Sequence, residues 1–224
     1  MRIIILLLSL IMILPCRAAE NGYVKYIALT FDDGPHPKYT PQILKILYEN
    51  NVPATFFVIG ENAERYPELI RAEYDLGCEI GNHTYSHKRC DGACSDIYDE
   101  IKKTDRIIFD ITGEIPSLFR PPEGKHAEAV DKAVSSSGKK TVLWNIDTRD
   151  WAHTDRTAIC ENIKKNARNG SVILFHDYVS GTSPTPSVLE EMIPYLKKQG
   201  YVFVTVSELY NKADTGDVSS IFIG

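Results

Sequence analysis

The amino-acid sequence predicts an α/β fold, a distorted (β/α) barrel built on seven parallel strands. Short runs rich in β-branched and aromatic residues alternate with longer stretches whose apolar residues recur at helical spacing. Glycines stand at many joints between these segments, several of them at expected helix C-termini. No proline- or glycine-rich linker and no internal repeat divides the 224 residues. One barrel therefore explains the pattern better than two domains.

The strands are expected to be short and the helices longer, in regular alternation. Strands are expected at residues 26–30, 54–59, 79–81, 117–119, 141–146, 171–175 and 202–206. Helices are expected at residues 41–50, 63–76, 95–111, 127–137, 156–167 and 187–199. Because strands separated by helices pair in parallel, this order predicts a parallel sheet.

The N-terminus is expected to be a secretory signal peptide over residues 1–18. Arg2 precedes a short apolar run, which ends in small residues and is too short to span a bilayer comfortably. Residues 19–224 are then expected to form a single domain, a monomer without a membrane span, secreted or held in the cell envelope. Cys16 leaves a lipid anchor as an alternative, although Pro15 stands where a small residue is needed.

Charge and cysteine content narrow the classes of partner. The formal net charge of −5 argues against nucleic acid and against anionic surfaces, but not against a neutral polymer. Four cysteines lie beyond the signal segment: Cys78, Cys90, Cys94 and Cys160. In an exported protein they permit two disulfides in three pairings, or free thiols.

Polar residues suited to chemistry follow the strands directly. They are Asp32 and Asp33 after the first strand, His83 and His87 after the third, Arg120 after the fourth, Asp147 and Asp150 after the fifth, and His176 and Asp177 after the sixth. The C-terminal ends of all strands of a (β/α) barrel lie on one face, where active sites form. These residues are therefore expected to converge at one rim.

A metal site is expected within this set. His83 and His87 stand four residues apart, so that on a helical turn they would share one face and bind one divalent ion. One carboxylate of the adjacent Asp32 and Asp33 supplies a third ligand and leaves an open position for water, as in catalytic zinc sites. The other carboxylate can then accept a proton from that water. Zinc is the default ion for two histidines and one aspartate, while cobalt, nickel or manganese also suit them.

Other interpretations of the same residues remain open here. Histidines at this spacing also occur by chance, and adjacent aspartates before Gly34 fit a polar turn that caps a helix. Cys90 and Cys94 lie close to the two histidines in sequence and can form a closed structural zinc site with them. That site would leave Arg120 and His176 without a role.

At this point the chain resembles a known family, the polysaccharide deacetylases of carbohydrate esterase family four. The motifs that carry the resemblance are Thr-Phe-Asp-Asp-Gly-Pro at residues 30–35, His-Thr-x-x-His at 83–87, Arg-Pro-Pro at 120–122, Asp-x-x-Asp-Trp at 147–151 and Leu-x-His-Asp at 174–177. They occur in the family's order, and the resemblance covers residues 26–209. Peptidoglycan N-acetylglucosamine deacetylases are the members that this chain is expected to resemble.

The resemblance implies a role for each site residue. It implies that the metal ligands are Asp33, His83 and His87. It also implies that Asp32 is the general base, oriented by Arg120, and that His176 is the general acid, held by Asp150. Around the substrate it implies an acetyl pocket walled by Trp151 and Leu174, contacts from Pro122 and Glu123, and an oxyanion donor in a backbone N–H near Glu123. Glu123 departs from the family, which commonly has tyrosine there. A carboxylate at that position can disfavour anionic substrates.

The activity implied by the resemblance is hydrolysis of N-acetyl groups on N-acetylglucosamine residues of a cell-wall polysaccharide such as peptidoglycan. The alternatives are an O-acetyl esterase acting on xylan or another acetylated glycan, a chitooligosaccharide deacetylase, and a glycan-binding protein with a decayed site. No residue in the sequence decides among them. Outside the motifs, His36 and His153 are expected to face solvent, and Trp144 is expected to pack in the fold.

Overall fold

The structure, a computed structural model, describes residues 24–88, 93–125 and 127–218. The predicted signal peptide at residues 1–18, with Cys16, lies outside these ranges, and so does Cys90. Cys94 is described only as the first residue of a helix. The alternative structural zinc site on these cysteines therefore falls outside the described part of the chain.

Strands and helices alternate along the described chain. The strands are β1 Lys25–Asp32, β2 Thr55–Val58, β3 Glu79–Asn82, β4 Leu118–Phe119, β5 Lys140–Thr141, β6 Ile146–Asp147, β7 Ser171–His176 and β8 Tyr201–Phe203. The α-helices are α1 Tyr39–Asn50, α2 Gly60–Arg65, α3 Pro67–Asp75, α4 Cys94–Thr112, α5 Glu128–Ser136, α6 Arg156–Asn166, α7 Thr185–Lys198 and α8 Val206–Asp214. Short 3-10 turns span Pro122–Gly124 and Asp150–Ala152.

The strands form one parallel sheet in the order β5-β4-β3-β2-β1-β7-β6, with β8 also paired to β1. The predicted fifth strand is split: its first part, β5, pairs with β4, and its last part, β6, pairs with β7. Residues 142–145 thus run from one sheet edge to the other and close the curled sheet. The prediction of a distorted barrel with seven parallel strands is confirmed, with β5 and β6 as the two ends of one strand.

The pleat of the central strand divides the core into two layers. Ile27, Leu29 and Phe31 belong to the apolar cluster shared with the surrounding helices. Ala28 points the other way, into a second cluster inside the barrel. Side chains alternate along a strand, so Thr30 and Asp32 also point inward and toward the C-terminal rim.

Two more of the predicted elements were wrong in extent, besides the split fifth strand. The helix expected at residues 63–76 breaks at Tyr66 into α2 and α3, because Pro67 lacks an N–H and disfavours helical backbone in the residue before it. The strand expected at residues 202–206 ends at Phe203. Helix α8 follows, and its start is fixed by a capping box between Thr205 and Glu208.

The structure also bears on the possible disulfides and on membrane crossing. Cys78 and Cys160 are buried free thiols, so any disulfide that includes either of them is excluded. Within the described segments, no helix combines the length and apolar character that a bilayer crossing requires.

Candidate active site

Two neighbouring strands place a carboxylate and an imidazole side by side at the rim. Asp32 ends β1 and His176 ends β7, and the two residues are paired directly in the parallel ladder. Adjacent strands lie about 4.8 Å apart, and paired residues point to the same face. Both side chains are almost fully buried at the inner edge of the barrel, at 3% and 9% exposure. The sheet register therefore fixes the spacing of the predicted base and acid.

Asp33, His83 and His87 meet beside this pair. One ligand atom from each lies within 4.8 Å of the others. Asp33 Oδ1 is 3.4 Å from His83 Nε2 and 3.2 Å from His87 Nε2. The two imidazole rings lie 5.0 Å apart between centroids. The structure thus brings together the three residues that were predicted to bind metal.

The backbone that carries the histidines differs from the prediction. Residues 83–88 form a loop after β3, not a helical turn. Thr84 and His87 have left-handed φ angles of 67° and 53°, which an α-helix does not allow. The spacing of four residues still brings the rings together, because the loop curls back on itself: the His87 N–H donates to Thr84 Oγ1 at 3.1 Å.

The hydrogen bonding of His83 fits a cation. Its Nδ1 lies 2.6 Å from the carbonyl oxygen of Arg120, and only a protonated nitrogen can donate that bond. In the neutral ring, Nε2 then presents a lone pair to the carboxylate of Asp33, another electron-pair donor. Asp33 Oδ1 is buried and accepts no hydrogen bond from the described residues. Facing lone pairs repel each other unless a cation lies between them, so this donor set fits a divalent ion.

The pKa values of the three residues follow from burial and from the charges of their neighbours. Burial lowers the pKa of His83, but the nearby Asp32 and Asp33 carboxylates outweigh it and raise that pKa. Burial raises the pKa of Asp33, but the adjacent histidines outweigh it, His83 most of all, so the net pKa is lowered. Burial and the neighbouring His83 lower the pKa of His87, which favours the neutral ring that metal binding needs.

Arg120 fixes the orientation of Asp32. It follows β4 and is fully buried. Its Nη1 donates to Asp32 Oδ1 at 2.7 Å and to Thr30 Oγ1 at 2.9 Å. Its Nε and Nη2 donate to the carbonyls of Val142 and Leu143 at 3.1 and 3.2 Å. A guanidinium fork held at four points leaves the carboxylate one orientation, with Oδ2 directed toward His83.

Asp150 plays the matching part for His176. Asp150 Oδ1 lies 2.8 Å from His176 Nδ1, and its Oδ2 accepts the His176 N–H at 2.8 Å and Thr185 Oγ1 at 2.5 Å. Burial lowers the pKa of His176, but the hydrogen bond to Asp150 and the neighbouring carboxylates outweigh it and raise the pKa to about 9. His176 is therefore protonated at neutral pH, with Nε2 left to face the cleft.

A cleft of about 470 Å³ opens above these groups. Its lining comprises Asp32, Asp33, His83, His87, Glu123, Trp144, Asp147, Trp151, Leu174 and His176. Trp151 is 50% exposed, whereas Leu174 is buried at the cleft floor. Pro122 and Glu123 lie in the same 3-10 turn, but only Glu123 lines the cleft. Pro122 is buried, so it does not lie on the cleft as predicted. Carboxylates, imidazoles and two tryptophan rings thus make up most of the cleft lining.

Trp144 was predicted only to pack, and it also lines the cleft. Its ring lies against Gly124, where an added Cβ would come within 2.7 Å of it. Gly124 also has a φ of 65°, so glycine is required there for two reasons. The turn that carries Glu123 therefore packs directly against the Trp144 ring.

Strained backbone collects in the loops that carry the cleft residues. Among the described non-glycine residues, left-handed φ angles occur at Asp33, Thr84, His87, Glu123, Arg149 and His153, and otherwise only at Asn51 after α1. Each such residue costs about 1–2 kcal/mol. Strain of this kind persists where surrounding contacts impose it, and it is typical of functional sites.

Asp177, which follows His176, supports the loop after β1. Its N–H donates to the Asp32 carbonyl at 3.2 Å, and its Oδ2 accepts Thr40 Oγ1 at 2.5 Å. A Cβ on Gly34 would lie 2.1 Å from that carboxylate, so only glycine fits there. Burial raises the pKa of Asp177 to about 7.

The remaining predicted histidines lie apart from this chemistry. His153 is exposed, as expected. His36 is half-buried, stacked on Tyr39 at 5.0 Å and edge-on to Tyr178 at 4.7 Å. Thr30 and Thr185, which hold Arg120 and Asp150, were not predicted, because a lone threonine carries no sequence signal for such a contact.

Comparison with known proteins adds a second line of support. The chain matches the family described as polysaccharide deacetylase over residues 19–142. A peptidoglycan-N-acetylglucosamine deacetylase of Bacillus cereus is 40% identical over 208 residues, covering 88% of this chain and 98% of that protein. The peptidoglycan-N-acetylglucosamine deacetylase PgdA of Listeria monocytogenes is 37% identical over 190 residues, covering 84% of this chain but 39% of that protein.

The fold is shared with a solved structure of the same group. The peptidoglycan deacetylase PdaC from Bacillus subtilis matches with a TM-score of 0.80 and 35% identity, covering 87% of this chain and 94% of that one. Sequence and fold thus agree with these proteins over most of the chain, and we conclude that this chain belongs to the polysaccharide deacetylase family.

Proposed function

We propose that this protein is an exported, metal-dependent hydrolase that removes N-acetyl groups from N-acetylglucosamine residues of a peptidoglycan-like cell-wall polysaccharide. One observation carries the proposal: Asp32 and His176, paired in adjacent strands, flank the Asp33–His83–His87 group beneath one cleft. The family is metal-dependent in general, and similar proteins are named peptidoglycan deacetylases.

In this proposal Asp33, His83 and His87 hold a divalent ion, with zinc favoured by the donor set and cobalt, nickel or manganese also suited. When bound, such an ion supplies Lewis-acid activation of water and of the acetyl carbonyl. A cation also relieves the facing lone pairs of His83 Nε2 and Asp33 Oδ1.

The reaction balances with two proton transfers by the chain's own residues. Asp32, oriented by Arg120, accepts a proton from the attacking water as its oxygen bonds to the acetyl carbon. His176, charged and held by Asp150, donates a proton to the amide nitrogen as the carbon–nitrogen bond breaks. The products are acetate and a free amine on the sugar.

The other cleft residues are proposed to select the substrate. Leu174 and Trp151 wall the space for the acetyl methyl group, and the Glu123 N–H donates to the developing oxyanion. The Glu123 and Asp147 carboxylates both line the cleft, and the ion pair of Glu123 with Lys125 Nζ at 3.0 Å offsets part of their negative charge. That charge disfavours an acidic sugar, so neutral N-acetylglucosamine is preferred over N-acetylmuramic acid.

The cellular setting is part of the same proposal. Residues 1–18 direct export, residues 19–224 form one catalytic domain, and the monomer acts in the cell envelope or outside the cell. The cell-wall substrates named for similar proteins support this location.

Acetate release tests the proposal. The protein is assayed on N-acetylated peptidoglycan, chitooligosaccharides and O-acetylated xylan, each with and without a chelator. We expect release from peptidoglycan, loss with the chelator and recovery on adding zinc. Preference for xylan would indicate the esterase alternative, and preference for the short oligomers the chitooligosaccharide alternative. No release from any glycan with zinc or cobalt present would indicate a decayed binding protein.

A further inference from the structure

The loop between the two histidines depends on side chains for its backbone hydrogen bonds. Residues 83–88 lie outside the strands and helices, so their N–H groups need other partners. Asn82 Oδ1 accepts the Thr84 N–H at 2.9 Å, and Thr84 Oγ1 accepts the His87 N–H at 3.1 Å. Two adjacent amides remain between them, at Tyr85 and Ser86.

Both of those amides point at one carboxylate on helix α4. Glu100 Oε2 accepts the Tyr85 N–H at 2.9 Å and the Ser86 N–H at 2.7 Å. Ser86 Oγ lies 3.0 Å from both Glu100 oxygens. Two hydrogen bonds from adjacent amides to one oxygen fix the peptide plane between those amides.

The opposite side of the loop is held by helix α2. The carbonyls of Thr84 and Tyr85 accept the N–H groups of Gly60 and Glu61 at 3.0 and 2.9 Å. A Cβ on Gly60 would lie 2.7 Å from the Tyr85 ring, so the close approach requires glycine. The loop is therefore clamped between two helices, and Glu100 is the side chain that accepts the two adjacent backbone N–H groups of the loop.

Helix α4 is itself anchored to the strand that leads into the loop. Asn82 Nδ2 donates to the Ile101 carbonyl and to Asp105 Oδ1, both at 2.8 Å. Asp105 in turn forms a buried ion pair with Lys139 at 2.7 Å. One helix thus holds both ends of the ligand pair, through Asp105 and Asn82 at the His83 end and through Glu100 at the His87 end.

From these contacts we infer that Glu100 is a positioning residue for the metal site, one that sets the affinity for the ion through His87 without contacting it. Partners behind metal ligands commonly change affinity by about 10–100-fold when they are removed. The inference rests on the proposed metal site. It predicts that the affinity for the ion depends on the length of the Glu100 side chain and not on its charge.

Three variants separate reach from charge. Glu100→Gln keeps the length and one acceptor oxygen, which suffices because Oε2 alone accepts both amides. Glu100→Asp keeps the charge but is one methylene too short, and Glu100→Ala removes both. Asp99→Ala is the matched control, since Asp99 is an exposed carboxylate on the same helix.

The measurements are the zinc dissociation constant, by competition with a chromogenic chelator, and the visible spectrum of the cobalt-loaded protein. We expect the dissociation constant to rise about tenfold or more for Glu100→Asp and Glu100→Ala, with an altered cobalt spectrum. For Glu100→Gln and Asp99→Ala we expect it to stay within about threefold of wild type, because the loop contacts survive.

Thermal unfolding of the metal-free proteins identifies any variant that fails to fold. If Glu100→Ala fails to fold, the comparison of Glu100→Asp with Glu100→Gln still tests the inference. Wild-type affinity in Glu100→Asp would overturn the inference, as would equal weakening in Glu100→Gln and Glu100→Asp. Failure of the wild-type protein to bind zinc or cobalt would instead overturn the proposed metal site and the inference with it.

Discussion

At the scale of single residues, the site is made of pairs in which one member orients the other. Arg120 holds Asp32, and Asp150 holds His176. The sequence indicated the members of both pairs, because each follows a strand and matches a motif. It did not indicate Thr30 or Thr185, which brace the pairs, since the contacts join residues far apart in the chain.

The Asp150–His176 pair leads to a prediction about pH. His176 stays protonated up to a pKa of about 9, although burial opposes this, because Asp150 and the neighbouring carboxylates stabilise the imidazolium. In Asp150→Asn that pKa falls, so the alkaline decline of the acetate-release rate moves to lower pH. The rate at neutral pH also falls, by about 10²-fold or more, as general-acid catalysis is lost.

The check is a pH–rate profile of both proteins, with Asp147→Asn as the control. Asp147 lines the same cleft but forms no hydrogen bond with His176 among the described contacts. An alkaline limb that stays in place in Asp150→Asn, or that moves equally in the control, would refute the coupling.

At the scale of elements, strand positions were predictable from short apolar runs, and loop geometry was not. The central strands β1 and β7 extend only slightly beyond their predicted ends, because continuous apolar runs mark buried parallel strands. The break before Pro67 was indicated by the proline itself, but the prediction followed the helical spacing of the apolar residues and extended one helix across it. The loop at residues 83–88 carried none, since its shape depends on Glu100 and on the start of α2.

Helix α3 contains a carboxylate that weakens the fold at neutral pH. Glu73 is fully buried on the apolar face of α3, beside Ile70, and neither of its oxygens has a hydrogen-bond partner in the described part of the chain. Burial, with the negative charge of Asp177, raises its pKa well above the usual value. The folded protein therefore binds this proton more tightly than the unfolded chain does. Stability is unaffected below the unfolded pKa, near 4.5, and declines as pH rises above it.

Glu73→Gln removes the ionisation and should stabilise the protein at neutral pH. The gain can reach about 1.4 kcal/mol for each pH unit between the unfolded and folded pKa values. For a domain of this size, each kcal/mol raises Tm by about 2–4 °C. We expect equal Tm values for variant and wild type near pH 4, and a difference that widens up to pH 8.

The control for this prediction is Glu68→Gln, an exposed position on the same helix. Its Tm difference from wild type should stay small and vary little with pH. A Tm difference for Glu73→Gln that is constant across the pH range would show that Glu73 is not ionised at a cost in the folded protein.

At the scale of the whole molecule, the parallel barrel explains how residues distant in sequence form one site. The strands end at the same rim, so Asp33 and His87, which follow β1 and β3, meet His176 at the end of β7. This convergence was predictable from the position of each residue directly after a strand. The acidic character of the cleft was less predictable, because Glu123 and Asp147 become neighbours only through the fold.

The central claim is that adjacent aspartates divide the work, Asp33 holding the metal and Asp32 moving the proton. Zinc content and acetate release measured together on Asp33→Ala and Asp32→Asn test it most directly. We predict that Asp33→Ala loses both zinc and activity. Asp32→Asn should keep stoichiometric zinc while its rate falls by about 10²–10⁴-fold. Full activity in Asp32→Asn, or zinc bound as tightly in Asp33→Ala as in wild type, would contradict the claim.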